Sequence, residues 1–374
     1  MKIQLNALEN SFPGNLSCPG RSLKKALRRI QVNLLQWFKE NARDLPWRKT
    51  LDPYAIWISE IMLQQTQVPT VIPYYQRFLK TFPTVRHLAK TDLSKILKIW
   101  EGLGYYTRAR NLHKASQVIS NHFEGRIPDN LKDLLRLPGI GRYTAGAILS
   151  IAYNKEAPIV DGNVKRVLSR IFAVSGDPKQ KETEALLWNI SESLIPKDHA
   201  SAFNQGLMDL GSTICIPREP QCPECPLRNL CKARASGNPE KYPSKVIRKA
   251  VPRIEAVAAI IRKDGKVLLK QRPPKGLLGG LWEFPNWNVD GGNDLERELK
   301  NCLKKEMDLV AKVGDPAGMY QQTFSHFKLT LSVYPCHVVK GAAEGKWVFI
   351  KNLHLFPMSR IHRRIAKTLK WTKN

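Results

Sequence analysis

From about Leu23 to Ala235, apolar residues recur at spacings of three and four with short turns at Pro and Gly. This is the 3.6-residue period of helices that bury one face. Leu23–Phe38 reads as a basic amphipathic helix. Ile56, Trp57, Ile61 and Met62 open another, amphipathic and carrying Glu60, and Tyr74, Tyr75, Phe78 and Leu79 mark a third. Leu131–Leu137 and Arg142–Ile151 predict two helices around Pro138-Gly139-Ile140-Gly141, and Val164–Phe172 predicts one more. The pattern breaks over 236–253, where Gly237, Pro239, Pro243 and Pro252 stand among lysines and arginines, the composition of a basic linker. Beyond it, Ala256–Ile261, the turn Lys263-Asp264-Gly265-Lys266 and Val267–Leu269 predict strand, turn, strand. Leu295–Lys305 predicts a short helix and Thr330–Val339 a further strand. The chain thus divides into an extension (1–22), an all-α domain (23–235), a linker (236–253) and an α+β domain (254–374).

Charge narrows the class of partner. Sixty Lys and Arg against 32 Asp and Glu leave a net charge of +28, which calls for a polyanion. No apolar run approaches the roughly 18–20 residues that cross a bilayer, so nucleic acid is favoured over a membrane. The first residues include Glu9 and lack a secretory apolar core, which suggests a bacterial cytoplasm with nucleoid association through DNA.

Cys215, Cys222, Cys225 and Cys231 stand in the order C-x6-C-x2-C-x5-C, while Cys18, Cys302 and Cys336 are scattered. An odd total argues against a secreted disulfide framework. Four thiols in so short a loop suit zinc or an iron–sulfur cluster, and the asymmetric spacing favours the cluster. The plainer alternative is a loop of coincidental reduced thiols.

Two further constellations carry chemistry. Leu-Pro-Gly-Ile-Gly between two helices has the form of a helix–hairpin–helix, in which Gly139 and Gly141 let the backbone approach a phosphate at the N-terminus of the next helix. Glu60 lies among apolar neighbours, where desolvation raises a carboxyl pKa and keeps a general acid protonated. Asp161, at the start of a helix, can cap it and be held ionised by the cap. A neutral acid and an ionised carboxylate are the pair that breaks a glycosidic bond.

Together these segments resemble the MutY-type adenine DNA glycosylases of the endonuclease III superfamily. The resemblance runs from about Leu23 to the C-terminus. It rests on Asp44-Leu45-Pro46-Trp47-Arg48, the run Ser59 to Val68, Gly102-Leu103-Gly104-Tyr105-Tyr106, the run Leu137 to Gly146, Val160-Asp161-Gly162-Asn163-Val164 and the cysteines. It implies a helix–hairpin–helix glycosylase core, one 4Fe–4S cluster on the four cysteines, and excision of adenine opposite 8-oxoguanine, or guanine, in double-stranded DNA by a monomer. In that family pattern Glu60 matches the acid that protonates the flipped adenine. Asp161 matches the carboxylate that stabilises the cationic sugar, with Asn163 beside it and Tyr143 against the sugar. Trp47, Arg48 and Gln205 match residues around the adenine. Gln65 and Tyr105 match the wedge that fills the vacated stack or brackets the partner base, with Leu103 matched to the same DNA-binding set. Bifunctional relatives carry lysine where Tyr143 stands; a tyrosine cannot form a Schiff base, which implies a monofunctional enzyme.

Residues from about Ile254 to Met358 resemble the Nudix-fold, MutT-like domain of the same family. Arg297-Glu298-Leu299 is followed by Lys300, Asn301 and Cys302 where a hydrolase needs metal-binding glutamates, so pyrophosphate hydrolysis is not expected. Phe324-Ser325-His326 matches the motif that reads 8-oxoguanine. A non-catalytic DNA-binding protein would not need Glu60 and Asp161 together. An iron–sulfur electron carrier would leave the DNA-gripping turn unexplained.

Overall fold

The computed structural model describes residues 19–244, 250–289 and 294–369. Most of the N-terminal extension, Cys18, the middle of the linker and the last basic residues lie outside them. The helices are α1 Pro19–Asn41, α2 Pro53–Leu63, α3 Val68–Thr81, α4 Val85–Lys90, α5 Leu93–Ile99, α6 Thr107–His122, α7 Leu131–Arg136, α8 Arg142–Tyr153, α9 Gly162–Phe172, α10 Lys181–Leu194, α11 Ala200–Thr213, α12 Lys232–Ala235, α13 Leu295–Met307 and α14 Arg360–Thr368. Two compact units emerge: Met1–Arg86 with Lys114–Ile247, and His87–His113 with Arg248–Asn374.

The first unit is helical. Its core joins Leu34 of α1, Ile56 of α2, Phe172 of α9, Trp188 of α10 and Phe203 and Leu207 of α11. α11 packs on α1, α8 and α9, and α2 packs on α3 and α8. α2 begins where Asp52 caps it, accepting from Tyr54 N at 3.0 Å, with Pro53 in the first turn. This helix is not amphipathic as its sequence suggests. Every residue from Tyr54 to Met62 is buried, Glu60 included, because helices close on it from more than one side. Residues 236–244 do not hang free as a linker. Arg170 Nε donates to Tyr242 O at 3.1 Å, and Gly176 N donates to Ser244 Oγ at 3.2 Å.

The second unit is built on an eight-stranded mixed sheet in the order β3-β2-β1-β7-β5, with β4 on β1, β6 on β7 and β8 on β2. Its strands are β1 Arg253–Lys263, β2 Lys266–Gln271, β3 Trp282–Glu283, β4 Asn286–Val289, β5 Val310–Val313, β6 Gly318–Thr323, β7 Lys328–Lys340 and β8 Lys346–Phe349. β1 and β7 run parallel at the centre, from Arg253 opposite Lys328 to Arg262 opposite His337. The unbroken apolar run of β1 follows from burial on both faces. Ala256, Ala258 and Ile260 meet Ile361 and Ile365 of α14, whereas Val257, Ala259 and Ile261 meet Leu299 and Leu303 of α13.

The segment 87–113 lies in the middle of the helical stretch of the sequence yet belongs to this second unit. Side-chain bonds account for that. Arg363 Nε donates to Glu101 Oε1 at 2.5 Å, Tyr106 Oη to Met358 O at 3.2 Å, and Arg110 Nη1 to Gly279 O at 2.8 Å.

Candidate active site

A cavity of about 920 Å³ opens in the first unit. Its lining brings together eight of the residues expected from sequence: Trp47, Arg48, Glu60, Gln65, Tyr143, Asp161, Asn163 and Gln205. They come from the 3-10 turn at Pro46–Arg48, from α2 and the bend after it, from the first turn of α8, from the start of α9, and from α11.

Glu60 is 4% exposed, and Tyr143 Oη donates to its Oε2 at 2.7 Å. Burial pushes the Glu60 carboxyl up to about 7; the Tyr143 bond and the Arg48 charge pull it down, and the Asp161 charge adds to the rise. The Tyr143 hydroxyl is itself held well above its ordinary value by burial and then by the Glu60 charge, so it stays a donor.

Asp161 caps α9 through Oδ1, which accepts from Val164 N at 2.7 Å, and Oδ2 accepts from Asn163 Nδ2 at 3.2 Å. The cap is as expected, but its electrostatic effect is outweighed. Burial lifts the Asp161 carboxyl above the usual range, against the backbone bonds, Asn163 and Arg166. Asn163 Oδ1 in turn accepts from Arg166 Nη2 at 2.9 Å, and Arg166 Nε donates to Cys215 O at 2.7 Å. α11 can approach this corner because position 211 is glycine: a Cβ there would lie 2.7 Å from Asn163 Cβ.

Across the cavity, Arg48 Nη1 pairs with Asp209 Oδ2 at 2.7 Å, and Arg43 Nη2 pairs with Asp209 Oδ1 at 2.5 Å. Asp209 is fully buried and was not expected from sequence. The signal was available, since Asp209 follows Gln205 by four positions on α11 and shares its face. Trp47 stands edge-on to Tyr75 with ring centroids 5.5 Å apart, and Gln205 Nε2 donates to Ser201 Oγ at 3.1 Å. Gln65 follows α2 with φ 56, a left-handed conformation that costs a residue bearing a Cβ of order 1–3 kcal/mol.

The predicted helix–hairpin–helix forms, outside the cavity. Gly139 has φ 79 and Gly141 caps α8. A Cβ on Gly141 would meet nothing within 4 Å, so its backbone faces open space.

Cys215, Cys222, Cys225 and Cys231 line one small recess with Arg170, Arg228 and Arg234. Arg170 Nη1 donates to Cys215 Sγ at 3.4 Å. Burial pushes the Cys225 thiol up to about 12 and raises Cys222 and Cys231, with the neighbouring thiols adding to the rise. Among the described residues, no three or more His, Cys, Asp or Glu side chains close around a single metal ion. An all-sulfur donor set converging on one recess fits a soft, cationic centre able to draw protons off these thiols.

The other expected residues lie in the second unit. Phe324-Ser325-His326 forms the tip of the β6–β7 hairpin, where Phe324 N donates to Phe327 O at 2.8 Å and the two rings stack 4.7 Å apart. Ser325 and His326 are exposed. Tyr105 has φ 47, and its Oη lies 3.3 Å from Ser325 Oγ. Leu103 is 5% exposed and faces the interior of the unit, not its surface.

Comparison with known proteins finds two family models along the chain, the first of which also spans 87–113. The model of the HhH-GPD superfamily of base excision DNA repair proteins matches residues 58–193, and that of the NUDIX domain matches residues 256–368. An adenine DNA glycosylase of Buchnera aphidicola subsp. Acyrthosiphon pisum is 44% identical over 344 residues, covering 90% of this chain and 96% of that one. The human adenine DNA glycosylase is 35% identical, covering 90% of this chain and 73% of that one. The solved structure of a thermostable thymine-DNA glycosylase superposes with a TM-score of 0.53 at 35% identity, over 57% of this chain and 98% of that one. No described helix is long and apolar enough to cross a membrane.

Proposed function

The chain belongs to the adenine DNA glycosylases, and on that premise we propose that it excises adenine paired with 8-oxoguanine in duplex DNA, leaving the strand uncut. That it is a base excision repair glycosylase acting on DNA follows from the family. The observation that carries the finer reading is one cavity holding a buried acid poised near neutral pH, a hydroxyl bonded to it and a second carboxylate fixed at a helix start.

Adenine reaches such a cavity only after leaving the base stack, at a cost of a few kcal/mol. Trp47, Arg48 and Gln205 line the space it would enter. Glu60 gives its proton to the base as the bond from base to sugar breaks, and the bonding electron pair leaves with the adenine. The sugar becomes an oxocarbenium-like cation, stabilised by ionised Asp161. Water adds to it, oriented by Asn163, and its proton returns to Glu60. Tyr143 orients the acid and offers no amine for a Schiff base, which supports a monofunctional reaction.

Gln65 and Tyr105 act as wedges in the opened stack, and Phe324, Ser325 and His326 read the partner base from the hairpin tip. Gly139 and Gly141 present backbone to a phosphate. Cys215, Cys222, Cys225 and Cys231 would hold one 4Fe–4S cluster, which supplies folding of the 215–231 loop rather than base chemistry. Arg218, Arg228, Lys232 and Arg234 of that region then meet the DNA backbone. The enzyme works as a monomer on chromosomal DNA in a bacterial cytoplasm, with its glycosylase domain over 23–235 and its recognition domain over 254–374.

The test is a labelled duplex with one adenine opposite 8-oxoguanine, divided after incubation and treated with or without hot alkali. Scission only after alkali is expected. Scission without alkali indicates a lyase, and none in either half removes the roles given to Glu60 and Asp161.

A further inference from the structure

The turn that carries Tyr105 is held by more than its own chain. Gly102 and Gly104 have φ 105 and 72, and Tyr105 follows with φ 47. Glycine adopts such angles freely, but tyrosine does not. Three side chains brace this stretch. Trp100 Nε1 donates to Gly104 O at 3.1 Å. Arg108 Nη2 donates to both Leu103 O and Gly104 O, at 3.1 and 3.2 Å. Tyr106 Oη accepts from Gly102 N at 3.4 Å and donates to Met358 O at 3.2 Å.

Arg108 does a second thing. Its guanidinium carbon lies 5.6 Å from the Tyr105 ring centroid and 5.3 Å from that of Trp100, within cation–π range of both. It is 9% exposed, whereas Tyr105 is 47% exposed. The wedge ring therefore stands on a buried cation that also clamps the two carbonyls before it. Its hydroxyl reaches Ser325 at 3.3 Å. Backbone, ring face and hydroxyl are all fixed.

We infer that Arg108 is a positioning residue for partner-base discrimination: it sets the Tyr105 ring in place beside Ser325 before DNA arrives. The inference rests on the proposed reading of the partner base by this hairpin tip. A lysine cannot replace the arginine, because an ammonium lacks the planar fork that spans two carbonyls while stacking on a ring.

The experiment uses the full chain and compares single-turnover excision of adenine opposite 8-oxoguanine with that opposite guanine. Hydrogen bonds to a charged group are each worth enough that Arg108→Met and Arg108→Lys should both lower the ratio of the two rates by about tenfold. Tyr105→Ala should lower it similarly, and adding Arg108→Met to Tyr105→Ala should lower it little further, since both act through one ring. If Arg108→Met folds poorly by circular dichroism, Arg108→Lys, which keeps the charge and stem, carries the test. Fully additive effects, or a ratio unchanged in both Arg108 variants, overturn the inference. Tyr105→Ala and Ser325→Ala separate the two levels. If they lower the ratio while Arg108 variants do not, only the positioning role fails. If they leave it unchanged, the partner-base reading itself fails, and the inference with it.

Discussion

Tyr143 Oη donates to Glu60 Oε2 at 2.7 Å, so the acid of the cavity and the hydroxyl that aims it act as one unit. The bond favours the charged carboxylate, whereas burial favours the neutral acid, and burial prevails to leave Glu60 near 7. In the proposed mechanism the acid must be protonated, so the rate should fall as pH rises through about 7. Tyr143→Phe removes a bond to the charged form and should move that falling limb to higher pH. A pH–rate profile in single turnover measures it, and an unmoved or lowered limb would contradict the assignment.

The same shift acts on stability. Burial in the fold lifts the Glu60 carboxyl from an ordinary 4.5 to about 7. Its contribution is therefore fully present below about 4.5 and is lost as pH climbs through about 7, where ionisation in the buried site costs about 3 kcal/mol. Glu60→Gln, permanently neutral, should be more stable than the parent at pH 8 and gain little at pH 5, while losing excision by about 10²–10⁴-fold. Urea unfolding at the two pH values checks the first part. A variant less stable than the parent at pH 8 would show that Glu60 is not a buried neutral acid.

Much of this site could be read from residue order because its parts sit in contiguous runs. Ser59 to Val68 supplies both Glu60 and Gln65, and Val160 to Val164 supplies the whole cap around Asp161. What stayed hidden depends on contacts between distant segments. Asp209 gains its meaning only when α11 brings it to Arg43 and Arg48, more than 160 positions earlier in the chain. The burial of α2 on all sides is equally invisible to a period count, since it depends on which helices close over it. The grouping of 87–113 with the C-terminal sheet turns on bonds from Glu101, Tyr106 and Arg110 to residues at least 160 positions away. Local pattern placed this stretch within the helical part of the sequence, and tertiary partners placed it in the second unit.

Asp161 is both a cap and a proposed catalytic group, and two substitutions separate the roles. Asparagine caps helices as well as aspartate, so Asp161→Asn should fold with nearly the parent stability while excision drops by about 10²-fold or more. Asp161→Ala should lose the cap as well, about 1 kcal/mol of stability. Equal excision by Asp161→Asn and the parent would reduce the residue to its structural role.

The fully buried Asp209 carboxylate accepts from Arg48 at 2.7 Å and from Arg43 at 2.6 Å. Asp209→Asn keeps the shape but removes the charge between two guanidinium groups, and Arg48, at 13% side-chain exposure, has little water to turn to. Breaking one partner of a buried pair costs about 3–5 kcal/mol, and the one-third exposure of Arg43 places this loss at the lower end. Because Asp209 holds Arg48 against the cavity, excision should weaken even in protein that remains folded. If the residue works through Arg48, then Arg48→Met should cost much less in the Asp209→Asn background than in the parent, in both unfolding free energy and single-turnover rate. Additive losses in rate would mean that Asp209 supports the fold alone and that Arg48 is set in place by other contacts.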